Sequence, residues 1–254
     1  MILNTIRQGE GPPVVLLHGL FGAAKNLGVV ARGLAGQGEV ISMDLRNHGD
    51  SPRGAAMDFL TMAADVAETM AALEVPAARV VGHSLGGKTA MALALTRPAM
   101  VERLVVMDIA PVTYGHDYDD YVQAMLGLEL TPSLTRQEAD AALAPVVAAA
   151  PMRAFLLNNL ILGEAPRWRV GLHEIQAAMG QMIAWEDPPG MQPYEGPALF
   201  LRGGLSDYVR PSADEPIARL FPDARRATIE GASHWLHAEQ PERVISALKE
   251  FLFP

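Results

Sequence analysis

Cysteine is absent from all 254 residues. Disulfides, thiolate metal sites and cysteine nucleophiles are therefore excluded, and no disulfide requirement ties the chain to an oxidising compartment. Basic residues are in deficit: 20 Lys and Arg stand against 29 Asp and Glu, for a formal net charge of −9. That balance argues against nucleic acid or an anionic membrane surface as the main partner, because both select basic patches. Long apolar runs are missing too. Val14–Leu17 is representative, whereas a bilayer span needs about 20 residues. The opening residues, Met1 to Glu10, lack the basic stretch, apolar stretch and small-residue cleavage site of a signal peptide. The expectation is a cytoplasmic globular protein with no integral membrane segment. Hydrophobic material is plentiful, at 50% of the residues. The length suits one large domain, or a core with a small insertion.

Short apolar runs alternate with amphipathic stretches, which predicts an α/β protein with a mostly parallel sheet. Expected strands are Val14–Leu17, Val40–Met43, Arg79–Gly82, Leu104–Asp108, Ala198–Leu201 and Ala224–Ile229. Expected core helices are Phe59–Leu73, Leu85–Thr96, Ala213–Leu220 and Pro241–Phe251, the last with proline in its first turn, where the missing N–H costs nothing. Residues 112–187 show no strand pattern. They are rich in Ala, Met and Leu, are broken at Pro132, Pro151 and Pro166, and lead into Asp187-Pro188-Pro189-Gly190. Connections within α/β units are usually much shorter. A helical cap of three or four helices is therefore expected at 112–187, inserted into a core formed by 1–111 and 188–254.

The sharpest motif is Gly82-His83-Ser84-Leu85-Gly86, G-x-S-x-G between a strand and a helix. In that setting the turn forces the serine into a strained conformation, and the glycines allow a close strand–helix crossing. Ser84 is the candidate nucleophile, and the Leu85 amide, free at the helix start, is a candidate oxyanion donor. The same stretch, Gly82 to Thr89, also satisfies the phosphate-binding pattern G-x-x-x-x-G-K-[ST]. Leu104–Asp108 could then supply a magnesium-binding Asp. A phosphate loop usually comes after an early strand, whereas about three precede this one. On the serine reading, Lys88 is a solvent-facing helix residue.

Val14 to Gly22 reads as an apolar strand entering His18-Gly19 and a glycine-flanked loop. The second oxyanion donor is expected there, from the Leu20 amide or else Phe21. His18 is expected to anchor the loop. Late in the chain, His234 comes after Gly231-Ala232-Ser233 and precedes a helix. It suits a general base that takes the Ser84 proton and returns it to the leaving group. His237, three residues on, is its competitor.

These motifs together resemble the α/β-hydrolases along essentially the whole chain, and specifically the YbfF-type esterase group with its eukaryotic abhydrolase-domain relatives. The stretches that carry the resemblance are Leu17–Gly22, Asp44–Ser51, Gly82–Lys88, Met107–Pro111 and Gly231–Ala238. It implies a helical cap and hydrolysis of carboxylic esters, extending to acyl-CoA thioesters. Asp44, Arg46 and His48 are read as shaping a loop. The triad acid stays open. Hydrolases that the 197–209 segment resembles place it after the strand beyond the cap, at Ser206 or Asp207 depending on which glycine is counted from. Asp108, at the carboxyl end of the preceding strand and within the Asp108-Ile109-Ala110-Pro111 element, is the alternative, since geometry rather than order defines a triad.

The expected partner is a small ester or thioester, with no metal or organic cofactor. A cofactor-free perhydrolase, lyase or C–C hydrolase on the same triad is the competing chemistry, because a fold does not fix its reaction. A non-catalytic binding protein is the rival from outside enzymes. Met125, Leu126, Leu128, Leu156, Leu160, Ile161 and Trp168 suggest an apolar acyl site, although such a stripe at helical spacing is more often packing.

Overall fold

The computed structural model describes residues 1–115 and 118–254. Nine strands and ten α-helices are formed among them: β1 Thr5–Gln8, β2 Pro13–Leu17, α1 Gly28–Leu34, β3 Glu39–Met43, α2 Phe59–Ala72, β4 Ala78–His83, α3 Leu85–Thr96 and β5 Val101–Met107, then α4 Asp119–Leu126, α5 Arg136–Leu143, α6 Ala150–Leu157, β6 Leu160–Ile161, β7 Arg167–Trp168 and α7 Leu172–Ile183, and finally β8 Ala198–Gly203, α8 Asp214–Leu220, β9 Ala224–Ile229, α9 Leu236–Glu239 and α10 Pro241–Leu252.

Seven strands make one sheet in the order β1-β3-β2-β4-β5-β8-β9. All pairs are parallel except β1 with β3. Alternation along β2 shows how the sheet divides the core. Val15 and Leu17 join the cluster that includes Met62, Val66 and Met91 of α2 and α3. Val14 and Leu16 join the opposite cluster with Leu34 of α1 and Val244 and Leu248 of α10. Both faces are covered, as a parallel sheet requires. The Asp58 carboxylate starts α2 by accepting from the Thr61 amide at 2.8 Å, which satisfies one orphan donor of the first turn.

The expected strands and core helices are all present, with boundaries shifted by a few residues. Four elements lay outside the expectation. β1 is an edge strand, α1 carries two glycines, and β6 pairs antiparallel with β7 inside the stretch expected to hold no strand. Strands of two residues are too short to show a period. The four helices α4 to α7 add nothing to the main sheet. No helix among the described residues is long and apolar enough to cross a membrane.

The strand order reverses direction at β2, which has β3 on one side and β4 on the other. In open α/β sheets that is where ligands bind, at the carboxyl ends of the strands. Leu17 pairs with Gly82, His83 with Met107, and Met107 with Leu201. The ends of β2, β4, β5 and β8 therefore lie side by side, and the site is built on the turns and loops that leave them.

Candidate active site

Ser84 stands between β4 and α3 at φ 53°, ψ −117°, a conformation that costs a residue with a Cβ on the order of 1–3 kcal/mol. The surroundings hold it there. Its amide donates to Met107 O at 3.1 Å, and the Gly86 amide donates to His18 O at 3.0 Å. A Cβ at Gly82 would overlap the Gly86 carbonyl, and one at Gly86 would overlap the carbonyls of Leu17 and His18. The two motif glycines are thus fixed by backbone crossing backbone.

The loop after β2 presses on the same turn. A Cβ at Gly19 would lie 3.0 Å from His83 Nδ1 and 3.2 Å from Ser84 Cβ. The amides of Leu20 and Leu85 have no acceptor among the described residues. The Phe21 amide is spent, because it donates to His48 Nε2 at 3.1 Å. Of the three expected oxyanion donors, Leu20 and Leu85 therefore have N–H groups to offer and Phe21 does not. Phe21 itself sits at φ 59°, and its carbonyl accepts from Asn159 Nδ2 at 2.8 Å.

His18 and His48 brace this loop as neutral rings. His18 Nδ1–H donates to Gly19 O at 2.8 Å while Nε2 accepts the Leu45 amide at 3.0 Å. His48 Nδ1–H donates to Arg46 O at 2.8 Å. Asp44 accepts from Asn4 Nδ2, the Ala24 amide and the Asp50 amide at 2.7–2.9 Å. Arg46 grips Asp65 with two bonds of 2.5 and 2.8 Å. Asp44, Arg46 and His48 shape the loop, as expected.

His234 and Asp108 meet directly. His234 Nδ1–H donates to Asp108 Oδ2 at 2.8 Å. Asp108 is fully buried and, like Ser84, has positive φ, 53°. Its Oδ1 accepts from the Gly203 amide at 2.8 Å. Its Oδ2 also accepts a short hydrogen bond from Ser206 Oγ. The carboxylate beside the imidazole is therefore Asp108, and Ser206 reaches the same oxygen from the end of β8. Asp207 is exposed, and its backbone carbonyl is engaged with Arg210 Nε at 3.0 Å.

Ser84 and His234 line one cavity of about 40 Å³ with Leu20, Tyr118 and Phe155. No hydrogen bond joins their side chains among the described residues. Such contacts are often loose before substrate binds. His237 lines the same cavity, but Asp108 pairs with His234. Burial pushes the His237 imidazole down to about 4. A second cavity, also about 40 Å³, starts from Ser84 and Leu20 and runs between Ile109 and the α7 residues Met179, Met182 and Ile183.

Several participants carried no signal in the sequence. The Tyr208 ring stacks on His234 at 3.8 Å and 16°. His83 Nε2–H donates to His234 O at 2.8 Å. Asn159 reaches Phe21 across 138 residues of sequence. His83 fills a variable position of its motif, and Tyr208 and Asn159 belong to none. Lys88 requires a correction: it is not solvent-facing but 1% exposed, because α7 folds over it. The phosphate-loop reading fails on the same geometry. Lys88 Nζ is held by the Ile183 and Ala184 carbonyls. Thr89 Oγ1 donates to Leu85 O. The Ser84, Gly86 and Lys88 amides that would cradle a phosphate all have backbone acceptors. The seven apolar residues that suggested an acyl site line neither cavity, in keeping with the packing reading of such a stripe. Met125, Leu156, Leu160 and Trp168 are buried in the core cluster. Among the described residues no cluster of three or more His, Asp or Glu could hold a metal ion.

A family model described as alpha/beta hydrolase fold matches residues 12–241. The chain is 40% identical to the sn-1-specific diacylglycerol lipase ABHD11 of Mus musculus, over 95% of this chain and 81% of that protein. It is 37% identical to esterase YbfF of Escherichia coli K12, over 96% and 94% respectively. A solved marine microorganism esterase superposes with a TM-score of 0.94 at 34% identity, covering 99% of both chains.

Proposed function

Because the chain belongs to the alpha/beta hydrolase fold family, we propose that it is a carboxylic ester hydrolase working through a serine acyl-enzyme. The observation that carries this reading is the 2.8 Å pairing of buried Asp108 with His234, whose ring lines the cavity that also holds Ser84. Relatives named as a lipase and as esterases point to the same chemistry.

The pairing fixes the tautomer. With its Nδ1 proton donated to Asp108, neutral His234 keeps a lone pair on Nε2, and Nε2 is the base. Ser84 Oγ adds to the ester carbonyl as its proton passes to Nε2. The imidazolium that forms is stabilised by the buried Asp108 carboxylate. The tetrahedral oxyanion takes hydrogen bonds from the Leu20 and Leu85 amides, which need no reorganisation to receive it. Nε2 then protonates the leaving alcohol, and the C–O bond breaks to give the acyl-enzyme. Water, deprotonated by the same nitrogen, releases the acid. No metal or organic cofactor enters these steps. An acyl-CoA thioester offers the same electrophilic carbonyl and falls within the proposal. Residues 112–187 act as a cap, since Tyr118, Met152 and Phe155 wall the first cavity and Met179 and Met182 the second.

Ser84→Ala should lower the rate on p-nitrophenyl acetate by about 10⁴-fold or more while leaving the thermal midpoint close to wild type. A fluorophosphonate probe should label the wild-type chain at Ser84. Full activity in Ser84→Ala would sink the mechanism. Absence of labelling in a folded wild-type chain would favour a binding protein.

A further inference from the structure

Lys88 lies one helical turn beyond Ser84, and its backbone amide donates to the Ser84 carbonyl at 3.1 Å. Its side chain is buried, with Nζ donating to Ile183 O at 3.0 Å and to Ala184 O at 2.8 Å. The ammonium also stands 4.8 Å from the Tyr114 ring centroid and 5.3 Å from that of Phe59. Burial pushes it down to about 7. A methionine would fill this space without desolvating a charge. Packing alone therefore does not account for a lysine here.

The two carbonyls that Nζ holds explain it. The last carbonyls of a helix have no partner within it, and Lys88 caps two of them at the end of α7 from a different element. A cation there also meets the negative end of the helix dipole. Two other ties secure the same turn: the Tyr114 amide donates to Ile183 O and the Trp185 amide to Thr113 Oγ1, each at 3.0 Å. Both run to the segment leaving β5, the other end of the 112–187 stretch, where the Tyr114 hydroxyl accepts from the Ala110 amide at 3.0 Å and donates to Tyr208 O at 2.9 Å. The Lys88 tie runs to the helix that begins at Ser84. Between the two helices lies the second cavity, with Ser84 and Leu20 on the core side, Met179, Met182 and Ile183 on α7, and the Lys88 side chain joining the two walls.

We propose that Lys88 is a positioning residue that sets acyl-chain specificity, holding the last turn of α7 against α3 and so fixing the wall at which the acyl group of the ester ends. The proposal rests on reading Ser84 as the nucleophile. On this proposal an acetyl group is too short to depend on where that wall stands. A longer chain meets it, and is accepted better once the turn is released.

The test compares wild type with Lys88→Met, which keeps the length and removes the donors, and Lys88→Gln, which keeps a neutral donor. Rates are measured on p-nitrophenyl acetate, butyrate and octanoate, and amide hydrogen exchange is read across 179–185. Lys88→Met should raise the octanoate-to-acetate ratio of kcat/KM about tenfold, chiefly through the octanoate KM. Exchange should quicken at 179–185 and not in β4 or β5, with Lys88→Gln intermediate. An equal fall on all three esters, or an unchanged ratio with unchanged exchange, would overturn the proposal. Should Lys88→Met fail to fold, Lys88→Gln and Phe59→Leu, which removes one ring beneath the ammonium, must show the same direction or the proposal fails. Fluorophosphonate labelling of wild-type Ser84 separates the two readings: without it the nucleophile assignment falls, while the exchange comparison still tests the tether.

Discussion

Asp108 receives three hydrogen bonds on two oxygens, from the Gly203 amide, Ser206 Oγ and His234 Nδ1. These donors have different consequences for the reaction. In the proposed mechanism the Gly203 and Ser206 bonds fix where the carboxylate points, and the His234 bond fixes the tautomer of the base. Asp108→Asn leaves the shape in place but offers an N–H toward Nδ1, which favours the wrong tautomer. Its kcat should fall by about 10⁴-fold on an activated ester. Ser206→Ala keeps the carboxylate and two of its donors. It loses one hydrogen bond to a charged group, worth about 1.5–3 kcal/mol, so kcat should fall by about tenfold to a hundredfold if that whole loss is felt in the transition state. Asp207→Ala, at an exposed side chain, should leave kcat within about twofold. Steady-state kinetics on the three variants checks the order. If Asp207→Ala were the most damaged, the acid would have to be reassigned.

At the scale of elements, glycine rather than the serine sets the tolerance of the site. A Cβ at Gly86 would run into the Leu17 and His18 carbonyls at the end of β2, and backbone cannot step aside as a side-chain tip can. Gly86→Ala should therefore push α3 off the sheet, cost about 3 kcal/mol or more, and abolish Ser84 labelling in whatever folded fraction remains. A urea midpoint equal to wild type would show that the crossing is looser than the geometry implies. Motifs of this kind were legible in the sequence because their constraint is local: strand, tight turn and helix are contiguous. So were β2, β4, β5 and β8, whose apolar runs are buried on both faces. β1 was not, since Thr5-Ile6-Arg7-Gln8 is an edge strand with its middle residues exposed. Nor was α1, whose Gly33 weakens the helical signal. A Cβ there would crowd Ile245 of α10, so the glycine serves helix–helix approach. Which of Asp108, Ser206 and Asp207 faces His234 was undecided in the sequence for a deeper reason. Asp108 and Ser206 converge on one oxygen across 98 residues, and only the pairing of β5 with β8 brings them together. The direction of Lys88 was lost in the same way, because the helix that buries it lies about a hundred residues on.

Across the whole molecule, buried histidine couples the site to acid stability. His18, His48, His83 and His237 are each less than 10% exposed, and burial lowers the pKa of all four, to about 3 for His48 and about 4 for His237. Hydrogen bonding enforces the neutral form in two of them, since His18 Nε2 and His48 Nε2 accept backbone amides and cannot also carry a proton. In the unfolded chain each ring titrates near 6.5. Below that pH the unfolded state binds protons that the folded state refuses. Stability is thus fully present above about pH 6.5 and is lost as the pH falls toward the folded-state values. A ring contributes a slope of about 1.4 kcal/mol per pH unit between its folded and unfolded values, so His48 and His237, at about 3 and about 4 in the folded chain, together give nearly 3 kcal/mol per unit, and His18 and His83 add in the same direction. Against a total of about 5–15 kcal/mol for a folded domain, that slope removes a large share of the stability within about two pH units below 6.5. Urea titrations followed by tryptophan fluorescence at pH 8, 7, 6 and 5 should give similar midpoints at 8 and 7, then a steep fall. His48→Gln retains an acceptor for the Phe21 amide without a titratable ring, and should reduce the slope below pH 6 by about 1.4 kcal/mol per pH unit whatever its effect at pH 8. A midpoint that stays level from pH 7 to 5 would mean that these rings take up protons in the folded state. The bracing of the oxyanion loop by neutral His18 and His48 would then be wrong.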